Sequence, residues 1–189
     1  MFLSSFRSTA IALIFSIIGF SAQAQELGVS FGFHSSNAEA TTSGVSTGSK
    51  VGYRLGVPFS FELVEGMKFK TGIGYSARHF DLTVGANKGT AEFDYIDIPA
   101  LVQYNFNDIV GVYGGLTMAL NIGKDIEGIP GVTSADGAES IVPMATVGLS
   151  TTFNDMVGFD FYYEHGIGDI ADGIKNYSVF GANFIYWIY

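Results

Sequence analysis

From Leu27 onward, apolar side chains recur at every second position, the period of a β-strand whose two faces meet different surroundings. Leu27, Val29, Phe31 and Phe33 alternate with Gly28, Ser30, Gly32 and His34. Val51, Tyr53, Leu55, Val57, Phe59, Phe61 and Leu63 alternate with Gly52, Arg54, Gly56, Pro58, Ser60 and Glu62. The same rule predicts strands over Lys68 to Arg78, Ile96 to Phe106, Val110 to Ile122, Ile141 to Phe153 and Val157 to His165. An eighth strand runs from Tyr177 to Tyr189, with both faces apolar.

The connections alternate in length. Glu65-Gly66, Asn107-Asp108 and Asn154-Asp155 are tight-turn signals. The other four connections, 35 to 49, 82 to 91, 123 to 140 and 166 to 176, are longer and rich in Gly, Ser, Thr, Asn and Asp. The first of them, with a single charge at Glu39, is expected to be mobile and exposed. Short turns at one end and long loops at the other are the layout of an outer-membrane barrel.

Which face is apolar decides between barrels. A soluble up-and-down barrel turns its apolar face inward and shows water a face rich in charge. Here the second face is dominated by Gly, Ser and Thr, which suit a crowded lumen, while the Phe, Tyr, Leu and Val face suits lipid. Only a closed barrel lets strands cross hydrocarbon with every backbone N–H and C=O paired. The expected fold is therefore all-β, an eight-stranded antiparallel up-and-down transmembrane barrel. Rings near the strand ends are expected in two interfacial girdles: Phe59, Phe61, Tyr104, Phe106, Phe153 and Trp187 on the turn side, and Tyr53, Tyr75, Tyr163 and Tyr177 toward the loops.

Composition narrows the classes further. The chain has 189 residues, one domain's worth, with only 14% charged residues against roughly 25% in an average globular protein. Its 17 Phe, 10 Tyr and 1 Trp come with no cysteine, which removes disulfides, thiolate metal sites and a lipid-modified N-terminal Cys. The net charge of -9 argues against a nucleic-acid partner. At the N-terminus, Arg7, the apolar run Ala10 to Phe20 and Ser21-Ala22-Gln23-Ala24 have the order of a signal peptide, giving residues 1–24 as the signal and 25–189 as the barrel domain. The implied destination is the outer membrane of a Gram-negative bacterium.

The segment Phe93-Asp94-Tyr95-Ile96-Asp97-Ile98-Pro99-Ala100-Leu101-Val102-Gln103-Tyr104-Asn105-Phe106 resembles a strand of the small outer-membrane β-barrel proteins of the porin family, or outer membrane protein β-barrel domain. Tyr163, Gly166, Gly168 and Lys175 ahead of an aromatic last strand are similar to that family's chain ends. The resemblance implies an eight-stranded barrel, with outer-membrane lipid as its surroundings, recognition by the barrel assembly machinery through the C-terminal strand, and a monomer. Members usually alternate cleanly into a terminal aromatic, whereas Asn183 shares the phase of Tyr189 here. Either Asn183 faces lipid or a bulge shifts the phase.

Chemistry-bearing motifs are sparse. Gly72-Ile73-Gly74-Tyr75-Ser76-Ala77 fits a dinucleotide-loop string, but that signature needs a helix next, and the strand alternation simply continues through Arg78. Asp125, Glu127, Asp136, Glu139, Asp169 and Asp172 lack a complete calcium-loop spacing and are read as solvated loop acids. Asn176-Tyr177-Ser178 fits a glycosylation string that has no weight in a bacterial chain. A lipid A deacylase would need a His-x-Ser arrangement; Glu164 and His165 sit in the right region, but residue 167 is Ile, so Ser178 would have to reach across. His34 and His79 have no motif around them. No catalytic residue, cofactor or metal is therefore expected.

The lumen charges say more. Arg54, Lys68, Lys70 and Arg78 share the inward phase with Glu62, Asp97, Asp160 and Glu164. Charges of both signs in a narrow bore should pair, because an unpaired charge removed from water is costly. The expected product is a plugged barrel that presents four surface loops for structural, adhesive or binding roles. The competing readings are a narrow ion channel through the lumen glycines and a lipid A-modifying enzyme.

Overall fold

The computed structural model describes residues 26–41, 44–128, 139–154, 156–168 and 174–188. The proposed signal segment and Tyr189 lie outside the described residues. The alternating pattern folds into eight strands: β1 (Glu26–Ala40), β2 (Val45–Val64), β3 (Met67–Val84), β4 (Asn87–Asn105), β5 (Val110–Glu127), β6 (Ile141–Phe153), β7 (Val157–Gly166) and β8 (Ile174–Trp187). Each pairs antiparallel with its sequence neighbours, and β8 closes on β1 from Gly28↔Trp187 to Ala40↔Ile174. Closure removes the two sheet edges that could not persist in hydrocarbon. No helix long and apolar enough to cross a membrane occurs among the described residues; the crossing is made by strands.

The alternation places large apolar side chains outward all round the ring: Val29 and Phe33 on β1, Leu55 on β2, Leu116 on β5, Leu149 on β6, Phe161 on β7 and Phe180 on β8 are all exposed. Such a surface would be a liability in water and is the complement of lipid.

Two expected loops are strand. Residues 35–49 and 82–91 were expected to connect strands, yet β1 runs to Ala40, β2 begins at Val45, and β3 and β4 meet across Gly85-Ala86. Ser46↔Thr83 and Asp81↔Thr90 are ladder pairs. The reason is physical: a transmembrane strand needs only about 9–11 residues, while β2 has 20 and β4 has 19. Their outer ends stand above the lipid, where the outer face meets water, so Ser, Thr, Asn and Glu replace apolar residues without ending the strand. Gly85 (φ 61°) makes the β3–β4 turn in the left-handed region that favours glycine. Only the β5–β6 and β7–β8 connections remain long. A short epitope inserted between Gly85 and Ala86 should be tolerated and detected on intact cells, whereas the same insertion at Ser46 should disrupt the β2–β3 ladder and lower the yield of folded barrel.

Three rings assigned to the girdles are buried instead. Tyr177 is 1% exposed and points into the lumen, where its hydroxyl pairs with Ser36 Oγ at 3.3 Å. Trp187 lies on the inner face of β8, and Phe59 is covered, packed edge-on against Phe61. The open question of β8 resolves without a bulge at Asn183: Asn183, Ile185 and Trp187 alternate inward while Phe184, Tyr186 and Ile188 face out.

Candidate functional site

The inner face of the barrel is layered from the short-turn end to the long-loop end. Nearest the turns, Lys68 Nζ meets Glu26 Oε1 at 2.5 Å, and Ser60 Oγ donates to the same carboxylate. One layer in, Lys70 Nζ pairs with Asp160 Oδ2 at 2.9 Å and lies 4.4 Å from the centroid of the Tyr113 ring. Across the middle, two guanidinium groups share two carboxylates. Arg54 reaches Asp97 at 2.8 Å and Glu164 at 2.7 Å, and Arg78 reaches the same two at 2.7 and 3.4 Å. Arg78 also donates to Ser76 Oγ and to the Met144 sulfur.

The buried aromatic rings complete this layer. The Arg54 guanidinium sits 4.6 Å from the Tyr162 centroid, and that of Arg78 sits 4.8 Å from Tyr95 and 5.9 Å from Tyr177. A cation over a ring face in a desolvated site gains attraction of about 2 kcal/mol, and here it adds to ion pairs of matched number. Strand alternation from four elements, β2, β3, β4 and β7, aims these charges at one level of the bore.

Toward the long-loop end the bore is apolar. Phe80, Phe93, Val142, Met144 and Val179 are all at most 1% exposed and belong to one cluster that continues to Ala38, Ala91 and the partly buried Ile126 and Ile174. Phe80, Phe93 and Tyr95 stack in a column with centroid spacings of 5.5 and 6.3 Å. Sequence reasoning missed this cap, having reserved the inner face for small residues. The glycines explain how rings fit inside. A Cβ on Gly148 would fall on the Tyr113 ring, and one on Gly181 would fall on the Tyr162 ring. These glycines are sockets for rings from neighbouring strands, so a Gly-rich inner face does not imply an open bore.

Of the eight charges given the inward phase, the structure brings Arg54, Arg78, Asp97 and Glu164 together, and Lys70 with Asp160. Lys68 lies at the turn end with Glu26, which the sequence did not single out because it sits at the very start of β1. Glu62 is exposed at the end of β2, opposite Lys68 in register. His34 is buried on the inner face.

Glu164, His165 and Ser178 do not come together on one face. Ser178 lies opposite His165 in the β7–β8 register, but adjacent residues of a strand point to opposite faces. His165 is turned outward, stacked on Tyr163 at 6.4 Å, while Glu164 is turned inward onto Arg54. His79 stands opposite Glu92. Gly72 to Ala77 lie within β3, not ahead of a helix, and Asp125 and Glu127 lie in β5. Asp136, Asp169 and Asp172 fall outside the described residues. Among the described residues no group of three or more His, Asp or Glu is placed to hold a metal ion.

The barrel is similar to solved membrane barrels. One is Ail, the attachment invasion locus protein of Yersinia pestis, in complex with the heparin analogue sucrose octasulfate: 16% identity, 86% of this chain and 98% of that one covered, TM-score 0.55. Another is neisserial surface protein A: 13% identity, 85% and 96% covered, TM-score 0.55. At such identities the likeness is one of fold. No curated protein matches the sequence. The family model of the outer membrane protein β-barrel domain matches residues 21–172. An apolar outer belt, a closed ring of eight antiparallel strands and that match together place the chain in the Gram-negative outer membrane, as a member of the outer membrane protein β-barrel domain family.

Proposed function

We propose that this protein is a closed, non-catalytic barrel that anchors extended hairpins at the cell surface for structural support or adhesion. The observation that carries the reading is the pair of stacked seals in the bore: the charge-balanced Arg54, Arg78, Asp97 and Glu164 layer, and above it the apolar cap of Phe80, Phe93, Val142, Met144 and Val179. A hydrated ion crossing the cap would shed its water with nothing to replace it. What projects beyond the lipid is then what acts, among the described residues the β1–β2 and β3–β4 hairpins.

The surface chemistry favours some partners over others. Glu39, Asp81, Glu92, Asp125 and Glu127 stand on the hairpin segments with Lys50, Lys88 and Lys124, in a chain of net charge -9. A sulfated polyanion, the ligand class seen with Ail, is repelled by such a surface, and a neutral or cationic partner is preferred. Residues 1–24 would direct export, and the outward aromatic row of β8, Phe180, Phe184 and Tyr186, would serve recognition by the assembly machinery; a monomer is the working unit of this reading.

Conductance tests the proposal directly. The refolded protein in planar bilayers should give no stepwise current above the lipid baseline, and lipid A from cells with and without it should have the same mass. Discrete openings would replace this reading with the channel, and a mass change with the enzyme.

A further inference from the structure

The bore changes character at the Arg54 layer. Toward the long loops its inner face is Phe80, Phe93, Val142 and Val179. Toward the turns it is polar: Lys70 and Asp160 come first, then the buried Gln103 on β4 and Ser150 on β6, and finally Lys68 and Glu26. Two cavities lie in this polar half. One, of about 90 Å³, is bounded by Arg54, Asp97 and Glu164 on one side and by Lys70 and Tyr113 on the other. The second, of about 80 Å³, lies at the turn end among Glu26, Lys68, Gln103 and Ser150.

The first cavity carries hydrogen-bonding groups that the protein leaves unused. Four of its lining residues each have a buried polar atom with no hydrogen-bond partner within the protein: Arg54 Nε, Asp160 Oδ1, Tyr162 Oη and Asn183 Oδ1. Asp160 and Tyr162 are 6% and 2% exposed. Left unpaired, each atom would carry its full desolvation cost.

Whatever bridges them must both donate and accept, because Arg54 Nε can only donate and Asp160 Oδ1 can only accept. It must also be uncharged. Arg54, Arg78 and Lys70 are already matched by Asp97, Glu164 and Asp160, so an ion of either sign would be an uncompensated buried charge. And it must be small, since the space equals about three waters at roughly 30 Å³ each. Apolar cavities stay dry, whereas polar ones of this size take up water that bonds to the orphaned groups.

We propose that this chamber is a water-binding site, holding a hydrogen-bonded cluster of about three molecules that joins the Arg54 layer to the Lys70–Asp160 pair. Water enters and leaves from the turn end, where side chains and not backbone ladder stand in the way, and the apolar cap shuts the other end. The bore is a blind well, wet at its turn end and dry at its loop end.

The test is X-ray hydroxyl-radical labelling of the refolded full chain in detergent. Radiolysis makes the radical from water, and a radical formed inside the protein reacts where it forms, so a buried ring is oxidised only where water sits against it. Tyr95, Tyr162 and Tyr177 are all buried, at 2% exposure or less, and of the three only Tyr162 lines the chamber. Tyr162 should be oxidised at least tenfold faster than Tyr95 and Tyr177. Asn183→Leu, which fills the chamber and removes one acceptor, should bring Tyr162 down to the rate of the other two, its folding checked by altered migration in SDS before and after boiling. Should that variant fail to fold, the comparison of the three tyrosines decides alone. With heavy-oxygen water mixed in just before the pulse, Ser150→Leu at the turn end should slow uptake of the isotope at Tyr162 at least tenfold. Equal rates for the three tyrosines, or an undiminished rate in folded Asn183→Leu, overturns the water site. Undiminished uptake in folded Ser150→Leu overturns entry from the turn end. Conductance reads the cap and is independent of these measurements.

Discussion

Replacing Arg78 with alanine should lower the barrel's stability to urea in lipid by about 3–5 kcal/mol. Arg78 has no exposure at all and holds Asp97 at 2.7 Å, so its removal leaves two buried carboxylates to share the single guanidinium of Arg54. Two carboxylates held on one guanidinium cannot both be satisfied by it without a cost in charge repulsion. The comparison is Lys68→Ala, where the ion pair with Glu26 is about a third exposed and should contribute at most about 1 kcal/mol. Arg78→Ala should nevertheless remain non-conducting, because Phe80, Phe93, Val142 and Val179 of the apolar cap still close the bore. A loss below 1 kcal/mol for Arg78→Ala would mean that Arg54 alone neutralises the layer.

Phe93→Ala should cost a comparable amount, about 3–5 kcal/mol, for a different reason. The ring is 1% exposed and sits in the middle of a stacked column between Phe80 and Tyr95, so truncation opens a cavity that its neighbours, fixed on β3 and β4, cannot collapse to fill. Phe161→Ala, on the lipid face, should cost far less, since an acyl chain fills the gap. Urea titration of the two variants in the same vesicles makes the comparison. Equal losses would show that the inner face packs no better than the lipid contact.

The alternation over Val51 to Leu63 or Val157 to His165 was enough to read the strands, because one face meets hydrocarbon and the contrast is large. The same phase puts Arg54, Lys70, Arg78, Asp97, Asp160 and Glu164 on one face of their strands, where they form ion pairs. It did not identify which carboxylate each cation would meet, since pairing across β2, β4 and β7 depends on barrel stagger and not on position within a strand. Ser35 to Ser49 and Leu82 to Ala91 read as loop because, above the lipid, the outer face is polar and the contrast that marks a strand disappears. The cap was illegible for another reason. Phe93 and Tyr95 stand on the inner face, where a rule assigning bulk to lipid and small residues to the lumen does not look for rings.

That arrangement of rings seated over glycines has a consequence for how such a barrel changes over generations. Gly148 cannot gain even a methyl group while Tyr113 occupies the space above it, and Gly181 is bound to Tyr162 in the same way. Gly181 is therefore expected to vary only together with the side chains of Tyr162 and His34, whereas Gly148 stays fixed, because a Cβ there also meets the Phe161 carbonyl oxygen at 2.5 Å. Lipid-facing positions have no such partner and can drift singly among Val, Leu, Ile and Phe. Tyr113 and Tyr162 also face Lys70 and Arg54, so trimming either ring to admit a larger wall residue would remove a cation's neighbour as well. A change at either site therefore reaches beyond the pair, which makes this part of the interior the slow clock of the molecule and its outer skin the fast one.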